Sequence, residues 1–159
     1  MSSEQKLLGC FAAMKMALAY HRIRGQGHRQ LFVSRERAYH GVNLGGVALS
    51  GMVNNRRAFG NSLPSAVHMR HTHIPENKFA IGEGDHGLDL AEDLTRIIAN
   101  YGGENIAAVF VEPIAGSTGT LVPPKGYLKR LRRQAEASTG APLDQLVLGR
   151  PVFFVDGEP

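Results

Sequence analysis

The sequence predicts an α/β domain with a mostly parallel sheet flanked by helices. The central observation is the run IAAVFV at 106–111, which is apolar at every position. A strand without a polar face is typical of a parallel sheet that is covered on both sides. Segments with helical periodicity lie at 6–24, 88–101 and 125–137. We therefore expect a sheet containing residues 30–34, 106–111 and 152–155 between those helices.

Length and composition suit one cytoplasmic domain. The chain has 159 residues, of which 43% are apolar and 20% charged, as in ordinary globular proteins. No stretch has the roughly 18 apolar residues of a membrane span, and residues 1–20 lack a secretory pattern. The single cysteine, Cys10, excludes an internal disulfide and suits a reducing compartment. We interpret it as a small helix residue rather than a nucleophile, because no local partner would activate it.

The net charge of +4 leaves two interpretations of the basic residues. They concentrate at 22–37 and 125–133 and could contact nucleic acid. Interleaved aromatic residues are absent, however, and acidic residues are scattered among them. This pattern favours solvated helix faces, and we expect no nucleic-acid partner.

The first third of the chain predicts a helix, a short strand and a glycine-rich helix. In 6–24 the apolar residues fall at steps of three and four, which predicts an amphipathic helix. Those residues are Leu7, Leu8, Phe11, Met14 and Leu18. The segment GVNLGGVALSG at 41–51 has four glycines, and each costs a helix interior about 1 kcal/mol. Such a helix forms only where it packs closely, so we expect it to face a site.

Two segments invite ligand interpretations that we weigh against simpler ones. Residues 63–76 contain two prolines and the alternating histidines His68, His71 and His73, which suggest a metal site. No cysteine accompanies them, so we favour an extended loop and expect no metal. The segment 82–87 matches GxGxxG, but no convincing strand precedes it and its acidic residues would repel a pyrophosphate. We favour a loop that leads into the helix 88–101.

The segment 106–128 predicts a strand, a site-like loop and a helix. Glu112 follows the buried strand directly, where open α/β sheets place their ligands. Pro113 lacks an N–H group and ends the strand. The loop GSTG at 116–119 then leads into the basic helix 125–137. An acidic residue at this edge is a candidate site residue.

Two segments together resemble the class III aminotransferases. They are AMKMALAYHRIRGQGHRQLFVSRERAYHGVNLGGVALSG at 13–51 and IAAVFVEPIAGSTGTLVPPKGYLKRLR at 106–132. The chain is most similar to the omega-amino acid–pyruvate, or β-alanine–pyruvate, group of these pyridoxal 5'-phosphate (PLP) enzymes. The resemblance covers about residues 12–132, and 133–159 form a diverged tail. It implies part of the aspartate-aminotransferase-like large domain, so that 1–159 would be a single partial domain.

The resemblance implies roles at the cofactor for four residues and places two more in the adjoining loop. Tyr39 would stack on the pyridine ring of PLP, which suits offset stacking of two flat rings. His40 and Gly41 would shape the cofactor pocket, and Glu112 would support the groups around the ring. Ser117 and Thr118 would belong to the adjoining loop. The implied partners are an amino donor and a keto acid such as pyruvate, and the implied assembly is a homo-oligomer, a dimer in the family.

Three parts of the family's site have no match in this sequence. The phosphate-binding Asn-Ser-Gly-Ser-Glu is replaced by EQKLLG at 4–9, and no Asp-Glu-Val follows Arg132. The lysine that holds the cofactor belongs to a motif that none of the lysines matches, namely Lys6, Lys15, Lys78, Lys125 and Lys129. Two hypotheses follow. The chain is a piece of an omega-amino acid aminotransferase that is inactive alone, or it is a non-catalytic remnant or interaction module that pairs with a full-length subunit.

Overall fold

The computed structural model describes residues 3–60, 64–138 and 146–148, and the side chains of 9–60 and 64–137. Its strands are β1 (Leu31–Arg35), β2 (Ala66–Met69), β3 (Ile106–Val111) and β4 (Leu146–Leu148). Its α-helices are α1 (Ser3–Ile23), α2 (Leu44–Leu49), α3 (Val53–Arg56), α4 (Asp93–Tyr101) and α5 (Tyr127–Ser138). The predicted strand 152–155 lies outside the described residues.

The four strands form one parallel sheet in the order β2–β1–β3–β4. β1 lies in the middle, where Phe32 is opposite Ala66 on one side and Ala108 on the other. All six residues of β3 are buried, as its sequence predicts. Because the strands are parallel, their carboxyl ends meet at one edge, and the segments that follow β1 and β3 converge there.

Helices cover both faces of the sheet, which confirms the predicted α/β class. On one face α4 and α5 pack through buried residues such as Leu94 and Leu131. On the other face α1 packs on Phe32 and Phe110. Within the described residues, no helix is long and apolar enough to cross a membrane.

The buried face of α1 matches the predicted one only in part, since Met14 is 4% exposed and packs in the cluster with Phe32 and Phe110. Ala13 and Ala17 are buried against the sheet, whereas Phe11 and Leu18 are 42% and 37% exposed. The ring of His21 also lies in this contact, with Nε2 2.8 Å from the carbonyl oxygen of Ala107. Small residues let the helix approach the sheet closely, so that of the predicted residues with described side chains Met14 is buried there, whereas Phe11 and Leu18 stay partly exposed.

Two further predictions need correction. Residues 66–69 are the strand β2 rather than an extended loop, because Ala66 and Met69 pair with β1. The predicted helix 88–101 begins as a 3₁₀ turn at Leu88–Glu92, and α4 starts only at Asp93. Asp93 is 4% exposed and accepts a 2.6 Å bond from the N–H of Arg70, so it ties α4 to the end of β2.

The basic residues at 22–37 are not all solvated. Arg29 is 6% exposed, and its Nη1 donates to the carbonyl oxygens of Gly103 and Ile106, at 2.9 and 3.2 Å. Arg35 is 1% exposed at the end of β1. The prediction of solvated helix faces is therefore wrong for these two residues, whose partners lie more than 70 positions away in the sequence.

Candidate active site

The site lies where the segments after β1 and β3 meet. Tyr39 follows β1 and Glu112 follows β3, so the parallel sheet brings residues 73 positions apart to the same edge. The backbone N–H of Tyr39 donates to Oε2 of Glu112 at 3.3 Å. Both side chains are half-buried, which leaves an aromatic ring and a carboxylate at a surface that a ligand can reach.

His40 is buried, and serine side chains that come before and after it in the sequence hold it there. It is 5% exposed, its Nε2 lies 3.0 Å from Oγ of Ser34, and its N–H donates to Oγ of Ser50 at 2.9 Å. Its Nδ1 lies 3.6 Å from Sγ of Cys10. Burial, helped by the charges of His68 and Arg35, lowers the pKa of His40 to about 4. The ring is therefore neutral at pH 7 and serves as a hydrogen-bonding group rather than a cation.

Cys10, treated above as a small helix residue, contacts this histidine but is not activated by it. Burial raises the pKa of the Cys10 thiol to about 11, and the charge of Glu112 acts in the same direction. A thiol with such a pKa is protonated at pH 7 and is a poor nucleophile. The structure thus supports a structural role for Cys10.

The glycine-rich segment packs as closely as its composition predicts. A Cβ atom on Gly46 would lie 2.6 Å from the carbonyl oxygen of His40 and 3.1 Å from Cα of Gly41. Gly41 itself has φ of 111°, a conformation that disfavours other residues. Asn43 caps α2 by accepting a 2.7 Å bond from the N–H of Gly46. α2 therefore fixes the backbone of 39–41 through direct contact.

Glu112 has a carboxyl group that is harder to ionise than usual. Burial raises its pKa, while the Tyr39 N–H bond and the charge of Arg35 lower it by less. The loop after Glu112 closes by two bonds between Ala115 and Leu121, at 3.1 and 3.0 Å. Thr118 at its tip donates to the carbonyl oxygen of Arg37 at 2.9 Å. The loop thus stays against the end of β1.

Arg35 is the residue of this region that the sequence analysis missed. Its Nη2 donates to the carbonyl oxygen of Glu112 at 2.8 Å. Its guanidinium carbon lies 5.7 Å from the ring centroid of Tyr127. The available signal was its position at the end of β1, two residues after the apolar run 31–33 in LFVSR. A charged residue that ends a buried strand lies beside the ligand edge of the sheet.

The three histidines considered for a metal site, at 68, 71 and 73, do not form a group that could hold a metal ion. His68 lies on β2, with Nδ1 3.3 Å from Nη1 of Arg56 and Nε2 3.1 Å from the carbonyl oxygen of Leu49. His71 instead donates its backbone N–H to Oε2 of Glu36. In the part of the chain that the structure describes, no group of three histidine, cysteine or acidic side chains could hold a metal ion. The segment 82–87 is an irregular loop.

Comparison with known proteins identifies the family. The model of the family described as "Aminotransferase class-III" matches residues 10–139. An omega-aminotransferase of Caulobacter vibrioides is 54% identical over 121 residues, which are 76% of this chain and 28% of the relative. An omega-amino acid–pyruvate aminotransferase of Pseudomonas putida is 46% identical, over 76% of this chain and 27% of its own length. The chain thus spans under a third of the relatives that it matches.

The fold agrees with solved structures of the same kind. The crystal structure of the omega transaminase from Pseudomonas jessenii in complex with PMP superposes with a TM-score of 0.72 at 29% identity. The match covers 88% of this chain and 30% of that one. The small parallel sheet and its helices are therefore a part of the PLP-dependent transferase fold, and the chain belongs to the class III aminotransferase family.

Proposed function

We propose that this chain carries part of the active site of an omega-amino acid aminotransferase. The reaction moves an amino group from an omega-amino acid or amine to pyruvate or another keto acid. The two relatives at 54% and 46% identity, an omega-aminotransferase and an omega-amino acid–pyruvate aminotransferase, support this substrate class. The observation that carries the proposal is the contact between Tyr39 and Glu112 at the carboxyl edge of the sheet.

The residues at this edge suit one side of the PLP ring. Class III aminotransferases depend on PLP, which supplies an electron sink when bound. The half-buried ring of Tyr39 offers a flat apolar face for stacking, and the Glu112 carboxylate lies beside it. His40 and Gly41 would form part of the pocket wall, because α2 holds their backbone in place. We propose these four residues as the cofactor contacts of this chain.

We also propose that the 159 residues alone do not complete transamination. Transamination requires a lysine that holds the cofactor and moves a proton. The lysines with described side chains are all exposed, at 15, 78, 125 and 129, and none contributes a hydrogen bond or ion pair to the site as described. The proposed unit is thus a single partial domain, with residues 12–132 as the family-like portion.

Cofactor binding tests the proposed contacts. We would titrate the chain, Tyr39→Ala and the control Tyr101→Ala with PLP and follow absorbance. Tyr101 is 48% exposed at the end of α4, before the amino end of β3, whereas Glu112 follows the carboxyl end of that strand. Loss of stacking is expected to weaken binding about two- to tenfold in Tyr39→Ala alone. Equal affinities for the two variants would contradict the proposed role of Tyr39.

Chemistry is tested separately from binding. Borohydride reduction of the PLP-treated chain and peptide mapping should place the label on several exposed lysines. Label on one lysine, together with cofactor-dependent formation of alanine from pyruvate, would show that this chain contains a working site. Formation of alanine from pyruvate and an added amino donor would refute the proposal that the chain is inactive alone, and the single labelled lysine would identify the residue responsible.

The alternative function is that of an interaction module. Apolar side chains in and after the glycine-rich segment face outward, since Val42, Leu44 and Val53 are 60%, 50% and 67% exposed. Exposed apolar groups this close together are typical of interaction sites. We propose that this surface pairs with a full-length aminotransferase subunit, as a partner in a dimer. Co-purification with a full-length homologue, reduced in Leu44→Glu but not in Lys78→Glu, would support it, and failure of the unaltered chain to co-purify would refute it.

A further inference from the structure

The side chain of Arg35 has an unusual environment for an arginine. It is the last residue of β1 and is 1% exposed, whereas arginine is almost never fully buried without a partner. Removing its charge from water is costly, and the surrounding protein must compensate by hydrogen bonds or opposite charge. The identity of those partners indicates what the residue does.

The hydrogen-bond partner of Arg35 lies at the candidate site. Nη2 donates to the main-chain carbonyl of Glu112, the first residue after β3, at 2.8 Å. The guanidinium also lies over the ring of Tyr127 at the start of α5. One buried side chain thus joins the end of β1 to the residue that carries the site carboxylate. Its Nη1 has no hydrogen-bond partner among the described residues.

The charge of Arg35 also acts on both titratable groups of the site. It favours the ionised form of the Glu112 carboxyl, against the burial that raises the pKa of that group. It disfavours protonation of His40, in the same direction as burial. The other groups that influence this pair are the N–H of Tyr39, the thiol of Cys10 and the ring of His68. Among the described residues, Arg35 supplies a full positive charge that acts on both Glu112 and His40.

We propose that Arg35 is a positioning residue: its buried guanidinium holds Glu112 against β1, so that the carboxylate accepts the Tyr39 N–H, and supplies the positive charge beside that carboxylate. Arg35 touches no ligand in this account and acts through Glu112. The relevance to cofactor binding rests on the proposed function, but the geometric and electrostatic claim concerns this chain alone.

The test uses NMR of the full chain without cofactor. The Tyr39 amide reports the contact directly, since it donates to Glu112 and its chemical shift follows the ionisation of that carboxyl. We would compare the unaltered chain with Arg35→Met, Arg35→Lys and the control Arg22→Met, an exposed position on α1. Glu112→Gln identifies the titration that belongs to Glu112.

The positioning role predicts a local effect. In Arg35→Met, hydrogen exchange at the Tyr39 amide should accelerate about tenfold or more relative to the amides of β3, because a bond to a charged group is lost. The Glu112 titration should move to higher pH in Arg35→Met and return towards the original value in Arg35→Lys. A merely structural role would instead accelerate exchange of Tyr39 and β3 together and leave the midpoint unchanged.

The proposal is overturned if the Glu112 midpoint in Arg35→Met equals that of Arg22→Met, or if Tyr39 and β3 exchange accelerate in parallel. Should Arg35→Met not fold, Arg35→Gln replaces it, because its side chain is polar but uncharged and too short to reach the Glu112 carbonyl that Nη2 contacts. The Glu112 midpoint must then rise and exchange at the Tyr39 amide must accelerate relative to β3, as expected for Arg35→Met. Failure of the unaltered chain to bind PLP would refute the proposed function and leave the Arg35 result unaffected.

Discussion

Replacing Gly46 with alanine should displace the segment that carries Tyr39, His40 and Gly41. The new Cβ would lie 2.6 Å from the carbonyl oxygen of His40 and 3.0 Å from the carbonyl carbon of Gly41. Both are main-chain atoms, which cannot rotate away as a flexible side chain would. Either α2 or the 39–41 segment must therefore move.

The expected loss of stability is about 1–2 kcal/mol. Overpacking of this kind costs about 1–3 kcal/mol. Alanine recovers about 0.5–1 kcal/mol of that, because glycine is unfavourable in a helix interior. The displacement also strains the contacts of Ser50, whose Oγ donates to the Gly46 carbonyl at 2.8 Å and accepts from the N–H of His40. The damage should therefore reach His40.

Urea unfolding measures the stability change, and alkylation of Cys10 measures the local one. Cys10 is the single cysteine, and its Sγ lies 3.6 Å from Nδ1 of His40, so movement of His40 should expose the thiol and speed its reaction severalfold. Gly27→Ala is the matched control, because a Cβ there meets nothing within 4 Å. Equal stability and equal alkylation rates in the two variants would refute the reasoning.

Three further predictions concern buried polar groups. The free energy of unfolding should fall by about 3 kcal/mol between pH 6.5 and 4, because His40 is protonated near pH 6.5 in the unfolded state and only near pH 4 in the folded state. Urea unfolding of His40→Asn at several pH values should lack this part of the pH dependence, and an equal dependence in both proteins would contradict the prediction. Asp93→Asn should lose about 1–2 kcal/mol at pH 7, mainly because the Arg70 N–H would then donate to a neutral amide oxygen instead of a carboxylate, since the two arginine side chains paired with Asp93 are 56% and 57% exposed and add little. Burial raises the pKa of Asp93, but its hydrogen bonds and the arginine charges lower it by more, so the net pKa is below 3.8. The stability difference between the unaltered chain and Asp93→Asn should therefore be complete above pH 3.8 and vanish as the pH falls through the lowered pKa of Asp93. Tyr127→Phe should change the free energy of unfolding by less than about 1 kcal/mol, because the buried Tyr127 hydroxyl makes no hydrogen bond of ordinary geometry among the described residues, although Arg35 lies close enough to influence it; a loss above about 1 kcal/mol in thermal unfolding would mean that the hydroxyl forms a full bond to Arg35.

The strand at the centre of the fold was predictable because its sequence is unambiguous. Residues 106–111 are apolar throughout, and the structure places β3 at the same bounds. β2 was missed because Ala-Val-His-Met carries no alternation, and its strand conformation depends on pairing with β1. α1 was predicted, but its buried face only in part: Met14 is buried as expected, whereas periodicity could not show that the sheet packs on Ala13 and Ala17 rather than on Phe11.

The candidate site was likewise predictable only where local sequence determines it. The positions of Tyr39 and Glu112 after two parallel strands make them neighbours, and the resemblance singles out both. The hydrogen bond between them depends on the course of both loops, which no local pattern specifies. The burial of Arg35 was not predicted for a similar reason, because its partner Glu112 lies 77 residues away and its basic neighbours suggested solvent exposure.

The order of strands has a consequence for how the chain folds. β1 pairs with β3 across a long separation, since Phe32 is opposite Ala108. A loop of roughly 75 residues must close before the two strands can pair, and its closure costs conformational entropy before any pairing energy is gained. Parallel pairing at this separation is typical of slow folding. Until it forms, the apolar run of β3 stays uncovered, so the time between synthesis and strand pairing is when this chain is most exposed to aggregation.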